Sequence, residues 1–241
     1  MLVTTKGIVL HHIKYAESSV IATIFTEKFG RQSYLINSAR SKRSINKAGI
    51  LQPLFILDLV AYQKHSGSLH RIKEIKNASP FQSIPFDINK STQAIFIAEM
   101  LYKTIQEEES YPELFSFLEH SIQYFDLLEE GISNYHLYFI IRLLEYLGIY
   151  PNVEFIKTND WFDMEKGIFV PFEPPHPQYM NPEISNVLKH LMFLKIHELG
   201  KIHITRKQRD ELLFKLLDYY KLHFDSMGKI KSVAVLKEVF E

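Results

Sequence analysis

Hydrophobic and polar positions repeat with a short period over the first 80 residues and with a helical period afterwards. Residues 7–13, 20–26, 33–36, 54–62 and 69–75 are β-branched, aromatic-rich runs bounded by turn signals, so each predicts a strand. Residues 27–30 read as a turn in which Gly30 supplies a positive φ, and residues 65–68 read as a hairpin loop. Five short strands in one segment fit a small closed barrel, of which the OB-fold is the common five-stranded case. An SH3-like barrel or a small sandwich fits the same count.

From Ser91 the period is helical. Ser91 is a cap candidate for a helix placing Ile95, Ala98, Leu101 and Ile105 on one face. Pro112 opens a second helix, and Ser133 a third that stops at Gly148 with Pro151 beyond. Short loops join the three into an expected bundle. Residues 151–180 break the period: WFDMEKGIFVPF predicts a hairpin turning at residues 165–167, and a proline-rich loop follows. Asn181 with Pro182 starts a helix to about Gly200, Thr205 caps a long one to about Phe224, and a short one closes the chain. The predicted class is α+β: an N-terminal five-stranded OB-fold barrel, residues 1–80, then a helical domain, 81–241, with a small β-hairpin insertion at 151–180.

Composition changes this picture in two ways. The 241 residues contain no cysteine, which excludes disulfides, a thiol nucleophile and cysteine-held metal. The formal net charge is zero, from 28 basic and 28 acidic side chains. That zero divides unevenly. Residues 1–80 carry twelve Lys/Arg and four Asp/Glu, a net +8, and the remainder carries −8. A polyanion partner is expected for the first segment. No apolar run approaches the ~18 residues of a membrane span, and the first residues lack the pattern of a secretion signal, so a cytoplasmic, nucleoid-associated protein is expected.

Catalytic motifs are missing. The sequence has no phosphate-cradling glycine loop and no nucleophile elbow. His197-Glu198 begins like the zinc-binding pattern H-E-x-x-H, but Lys201 stands where the second histidine would be. A non-enzymatic protein with no cofactor is expected. The strongest local feature is RQSYLINSARSKRSINK, residues 31–47, with no acid between Glu27 and Asp58. Arg31, Arg40, Lys42, Arg43 and Lys47 are its candidate phosphate contacts, and Tyr34 its candidate base-stacking platform. Tyr15 and Phe29 are further platform candidates, and all three aromatics fit the core better than a platform, Phe29 above all.

Thr5 to Val9, Tyr15 to Glu17, Ile24 to Glu27 with Gly30, Ala39 to Lys42 with Ser44, and Leu51 to Pro53 together resemble the N-terminal part of the RecO family of DNA repair proteins. Leu143 to Gly148 with Pro151 resembles the end of that family's helical part. The resemblance implies an OB-fold joined to a helical domain. It implies a recombination mediator that binds single- and double-stranded DNA, anneals complementary strands and works with RecR. It further implies contact with the acidic tail of single-stranded DNA-binding protein, so that RecA can load. DNA contacts would fall at Arg40, Lys42 and Arg43. Many relatives carry a four-cysteine zinc motif after the Leu-Gly…Pro segment. Here Trp161, Phe162, Phe169 and Phe172 are the expected apolar substitute. Arg142, among Phe139, Leu143 and Tyr146, is one place for the partner tail, or else bundle core with a satisfied arginine. The alternative function is a barrel-plus-bundle adaptor that touches only proteins.

Overall fold

The computed structural model describes residues 1–241 apart from 16, 18, 38–48, 64–68, 154–159 and 241. Strands β1 (Leu2–Lys14), β2 (Val20–Thr26), β3 (Gly30–Ile36), β4 (Ile56–Tyr62) and β5 (His70–Asn77) close into a barrel in the order β1-β2-β3-β5-β4. The first half of β1 pairs with β4 and the second half with β2. A short parallel pairing closes the ring, with Tyr34 opposite His70 and Leu35 opposite Arg71. This is the five-stranded OB-fold barrel that the strand count predicts. The hairpin loop expected at 65–68 lies outside the described residues.

Ile8, Val9, Ile24, Phe25, Leu57 and Leu59 are buried in this unit. Each contributes on the order of 1.5–3 kcal/mol by leaving water. Gly30 has the positive φ expected of it, +61°. A Cβ there would also collide with the Glu109 carbonyl oxygen. Only glycine permits both the turn and that approach. The Arg31 N–H donates to the Glu107 carbonyl at 2.9 Å, so residues 105–109 form a strap along the part of β3 that β5 leaves unpaired.

Helix α1 (Ile88–Thr104) and α2 (Pro112–Leu127) complete this unit, which spans Met1–Leu127; the second unit is Leu128–Glu241. The break between strands and helices lies near residue 80, where the periodicity changes, but the compact units part at residue 127. Side-chain contacts explain the difference. Lys6 Nζ meets Glu119 Oε1 at 2.7 Å, Phe25 packs on Phe115 with ring centroids 6.1 Å apart, and His11 packs on Tyr102 at 4.6 Å. The first two helices are therefore bound to the barrel, and the expected bundle of three helices is divided.

Two expectations for α1 are corrected. Asp87, not Ser91, caps it, accepting from the N–H groups of Asn89 (2.8 Å) and Lys90 (3.3 Å). The Ser91 hydroxyl donates back to the Ile88 carbonyl from inside the helix. Ile95 is exposed, because the buried positions are Ala94, Phe96, Ile97, Ala98, Met100 and Leu101. The chain entering α1 is held by Asp126, a buried carboxylate at the end of α2. It accepts from the N–H groups of Gln82 (2.7 Å), Ser83 (2.9 Å) and Ile84 (2.9 Å). The buried Lys90 ammonium donates to the Asp126 carbonyl at 2.8 Å and to Ser83 Oγ at 2.7 Å.

The second unit contains α3 (Ile132–Tyr146), a three-stranded sheet of β6 (Trp161–Asp163), β7 (Ile168–Val170) and β8 (Tyr179–Met180), α4 (Pro182–Phe193), α5 (Arg206–His223) and α6 (Ser232–Val239). Asn181 and Thr205 cap α4 and α5 as expected, through bonds from Ile184 N (3.0 Å) and Gln208 N (3.2 Å). α4 stops at Phe193, short of Gly200, and residues Ile196–Lys201 form a separate 3-10 turn. Tyr220 donates to the Ile140 carbonyl at 2.7 Å and Tyr219 to the Ile149 carbonyl at 2.8 Å, tying α5 to α3 and its end.

His136 on α3 is buried, with its ring stacked toward Phe240 at 6.1 Å. Burial, aided by the Arg209 charge, lowers its pKa to about 3. The unfolded chain therefore binds a proton below the usual histidine pKa that the folded chain refuses. Between that pKa and about 3 this histidine destabilises the fold increasingly as pH falls, by about 1.4 kcal/mol per pH unit. Urea unfolding at pH 7 and pH 5 should show a larger loss for the parent than for His136→Phe. Equal losses would remove His136 as the cause.

Candidate nucleic-acid interface

Alternation along β3 decides which residues can reach a ligand. Gln32, Tyr34 and Ile36 point inward and are buried; Arg31, Ser33 and Leu35 point outward. Tyr34 has no exposed surface, and burial pushes its hydroxyl pKa up to about 12, with Thr26 opposing. Its ring packs on His70, which meets Gln32 Oε1 at 2.6 Å. The expectation that Tyr34 is a stacking platform is thereby corrected: the outward residue of that pair is Leu35. Arg31 is also committed elsewhere. Its guanidinium donates to the carbonyls of Tyr102 (2.8 Å) and Ile105 (2.6 Å) and lies 4.6 Å from the Tyr102 ring centroid. It is a fastener between β3 and the strap.

Arg40, Lys42, Arg43 and Lys47 lie outside the described residues. The described residues stop at Asn37, after β3, and resume at Gly49, before β4. Around Asn37 the structure brings together residues distant in sequence. The Asn37 amide oxygen, turned to Arg71, accepts from its Nε at 3.1 Å and its terminal nitrogen at 2.6 Å. Ser19 Oγ stands 3.5 Å from the same amide, and the Tyr15 N–H donates to the Ser19 carbonyl at 3.1 Å. Lys14, Tyr15, Arg71 and Lys73 are exposed on this rim. Tyr15 is 62% exposed, which reverses its assignment to the core, whereas Phe29 is half-buried. Arg71 was not singled out by the sequence, since only the parallel β3–β5 contact places it beside the loop.

The charge reading also sharpens. The first unit as a whole carries fourteen Lys/Arg and twelve Asp/Glu, a net +2, because the acids of residues 81–127 fold with the barrel. Three of those acids, Glu107 to Glu109, lie on the strap at the Gly30 end of β3. Asn37 follows the other end, about 20 Å away for a seven-residue strand. The charges are thus separated along one strand, acids at one end and the loop root at the other.

The proposed tail-binding residues on α3 do not form one groove. Phe139 and Leu143 are buried. Arg142 faces Tyr138, with its carbon centre 5.6 Å from that ring, and pairs with Glu145 at 2.6 Å. Tyr146 is half-buried. This is the arrangement of core with a satisfied arginine.

The hairpin region does not fit a zinc ion. The sequence has no cysteine, and among the described residues no group of three or more His, Asp or Glu could hold a metal. Phe162 and Phe169 pack together at 4.9 Å, and Phe162 against Tyr219 at 5.4 Å, with Met164 and Met180 also buried. Trp161 packs edge-on against Tyr179 at 5.0 Å. Phe172, 65% exposed, is not part of this core. Buried Asp163 holds the turn by accepting from the N–H groups of Glu165 and Lys166, each at 3.1 Å. Gly167 takes φ +66° there, at the turn expected.

Among the described residues no helix is long and apolar enough to cross a membrane. Residues 1–81 match the family model "Recombination protein O N terminal", and residues 85–232 match "Recombination protein O C terminal". Over its full length the chain is similar to curated proteins named DNA repair protein RecO. It is 38% identical to the one from Phocaeicola vulgatus, 39% to one from Bacteroides fragilis and 40% to that from Flavobacterium johnsoniae, covering all of both chains each time.

Proposed function

The chain belongs to the RecO family of DNA repair proteins, and from that premise we propose that it works without bond chemistry, by holding DNA through its phosphates at the barrel rim. The observation that carries this reading is the cluster of Lys14, Tyr15 and Arg71 at the root of the segment that bears Arg40, Lys42, Arg43 and Lys47. Cations from β1 and β5 stand there, next to where the described residues stop before that segment, and the acids of the strap lie away from it. Both single and double strands expose phosphates to such a rim.

Annealing follows from the same electrostatics. Two complementary strands repel each other, and neutralising part of their charge lowers the barrier to pairing. In this reading the protein acts with RecR, meets the acidic tail of single-stranded DNA-binding protein, and so helps RecA load. An adaptor that touches only proteins would show none of the DNA effects.

The test is the annealing of two labelled complementary oligonucleotides with and without the full chain. The protein should accelerate annealing at 50 mM salt and lose tenfold or more of that effect by about 200 mM. No acceleration at low salt would overturn the proposal.

A further inference from the structure

Between residues 52–55, which lead into β4, and residues 84–95, which enter and begin α1, the first unit holds an open apolar cavity of about 390 Å³. Pro53, Phe55, Ile84, Pro85, Ala94 and Ile95 line it, and its polar edges, Gln52 and Ser91, are uncharged. The surface beside it is apolar too. Phe86 follows Pro85 without lining the cavity and is 82% exposed, Ile88 is 65% exposed and Ile95 46%. Ile88, Ser91 and Ile95 recur at helical spacing and share one face of α1. The charged groups nearest in sequence are engaged elsewhere. Asp87 accepts from the N–H groups of Asn89 and Lys90, and the buried Lys90 ammonium donates to Ser83 and to the Asp126 carbonyl. Leu54, between the lining residues Pro53 and Phe55, has φ +65°, the only positive φ outside glycine among the described residues. Backbone strain of this kind collects at functional surfaces.

We infer that this face is where a second copy of the chain docks, in a two-fold pair in which Phe86 of each copy enters the cavity of the other. Three features favour a second copy as the occupant. A two-fold contact joins a patch to itself, so the patch must carry both a projection and a hollow. Phe86 is the projection and the cavity beside it the hollow, and a cavity of about 150 Å³ already takes a benzene ring. Near its axis a two-fold contact also sets each charge against its own copy, which like-charge repulsion opposes. The lining here has no charge to repel, and no cation for a phosphate or an acidic peptide. Finally, Phe86, Ile88 and Ile95 together offer on the order of 400 Å² of apolar surface, the size of a functional patch. A pair would bury about twice that, the size of a weak and reversible contact. The pairing does not depend on the DNA reading.

Sedimentation velocity on the full chain, from about 1 to about 200 μM, tests this. The parent should pass from monomer to dimer with a Kd on the order of tens of micromolar. Phe86→Asp removes the projection and Ser91→Arg closes the hollow, and each change alone should weaken pairing at least about tenfold. Mixing the two variants should restore a dimer. The Ser91→Arg copy still carries Phe86 and the Phe86→Asp copy still carries an open cavity, while the introduced acid and base meet at the other contact. Phe86 is exposed and Ser91 lies on the outer face of α1, so an unchanged urea midpoint confirms that the variants fold. A parent that stays monomeric throughout overturns the inference and leaves the face to a different protein. A dimer that Phe86→Asp leaves intact overturns it too, as do two folded variants that fail to pair when mixed.

Discussion

Changing Arg40, Lys42 and Arg43 together to glutamate is expected to weaken single-stranded DNA binding by at least about 100-fold near 100 mM salt. Each phosphate that meets a lysine or arginine releases a condensed cation, and that release drives association. If these three residues meet phosphates as proposed, reversal removes three such contacts and puts three negative charges into the segment that follows Asn37. Folding should be unaffected, because the five strands supply core residues such as Ile8, Val9, Ile24, Phe25, Leu57 and Leu59, which the three changes leave in place. Anisotropy with a labelled oligonucleotide measures the loss, and the urea midpoint controls for folding. Full binding by the triple variant would place the DNA elsewhere.

The largest stability effect is expected at Asp126. Asp126→Ala removes the acceptor for three backbone N–H groups, buried at Ile84 and part-buried at Gln82 and Ser83. Buried donors left without a partner cost about 1–3 kcal/mol each when nothing relaxes, and relaxation of residues 82–84 recovers part of that. A loss of about 2–4 kcal/mol is expected, read as a fall in the urea midpoint. The pH dependence has a definite sign. Burial would raise the Asp126 pKa, but the backbone donors of Gln82, Ile84 and Ser83 outweigh it and hold the pKa below the ordinary value. A carboxylate with a lowered pKa gives stability that is present above the usual carboxylate range and lost as pH falls through the folded value. The difference between the parent and Asp126→Asn should therefore shrink in strong acid. A difference that stays constant from pH 7 to pH 3 would show that the negative charge is not what holds the turn.

Local chemistry was readable in the sequence and distant pairing was not. The positive φ of Gly30, the caps at Asn181 and Thr205, and the turn ending at Gly167 depend on residues within a few positions, and all are found as expected. The capping of α1 shows the limit. Asp87 and Ser91 stand four apart, both suit a cap, and only the approach of residues 82–84 to Asp126 decides between them. Tyr34 was misread although strand alternation alone puts it on the face opposite Arg31; with Gln32 and Ile36 buried beside it, it had to point inward. Arg71 is a different case. It stands in β5, far along the chain from Asn37, and only closure of the barrel through the parallel β3–β5 pairing joins them. The partition at residue 127 is also tertiary. It depends on contacts such as Lys6 with Glu119 and Arg31 with the Ile105 carbonyl, which no periodicity reports. The same partition changes what the charge asymmetry means. The +8 of residues 1–80 is not a property of a folded unit, whose net charge is +2, because the acids of residues 81–127, among them Glu119 against Lys6, fold with the barrel.

The central claim is that DNA is held by its phosphates at the rim around Asn37. The salt dependence of single-stranded DNA binding tests it most directly, as the slope of log affinity against log salt for the parent and for the triple glutamate variant. With about six cations engaged, the parent should give a slope near −4, and the variant a slope shallower by about 2. A flat response in the parent, or the same slope in both proteins, would contradict the account.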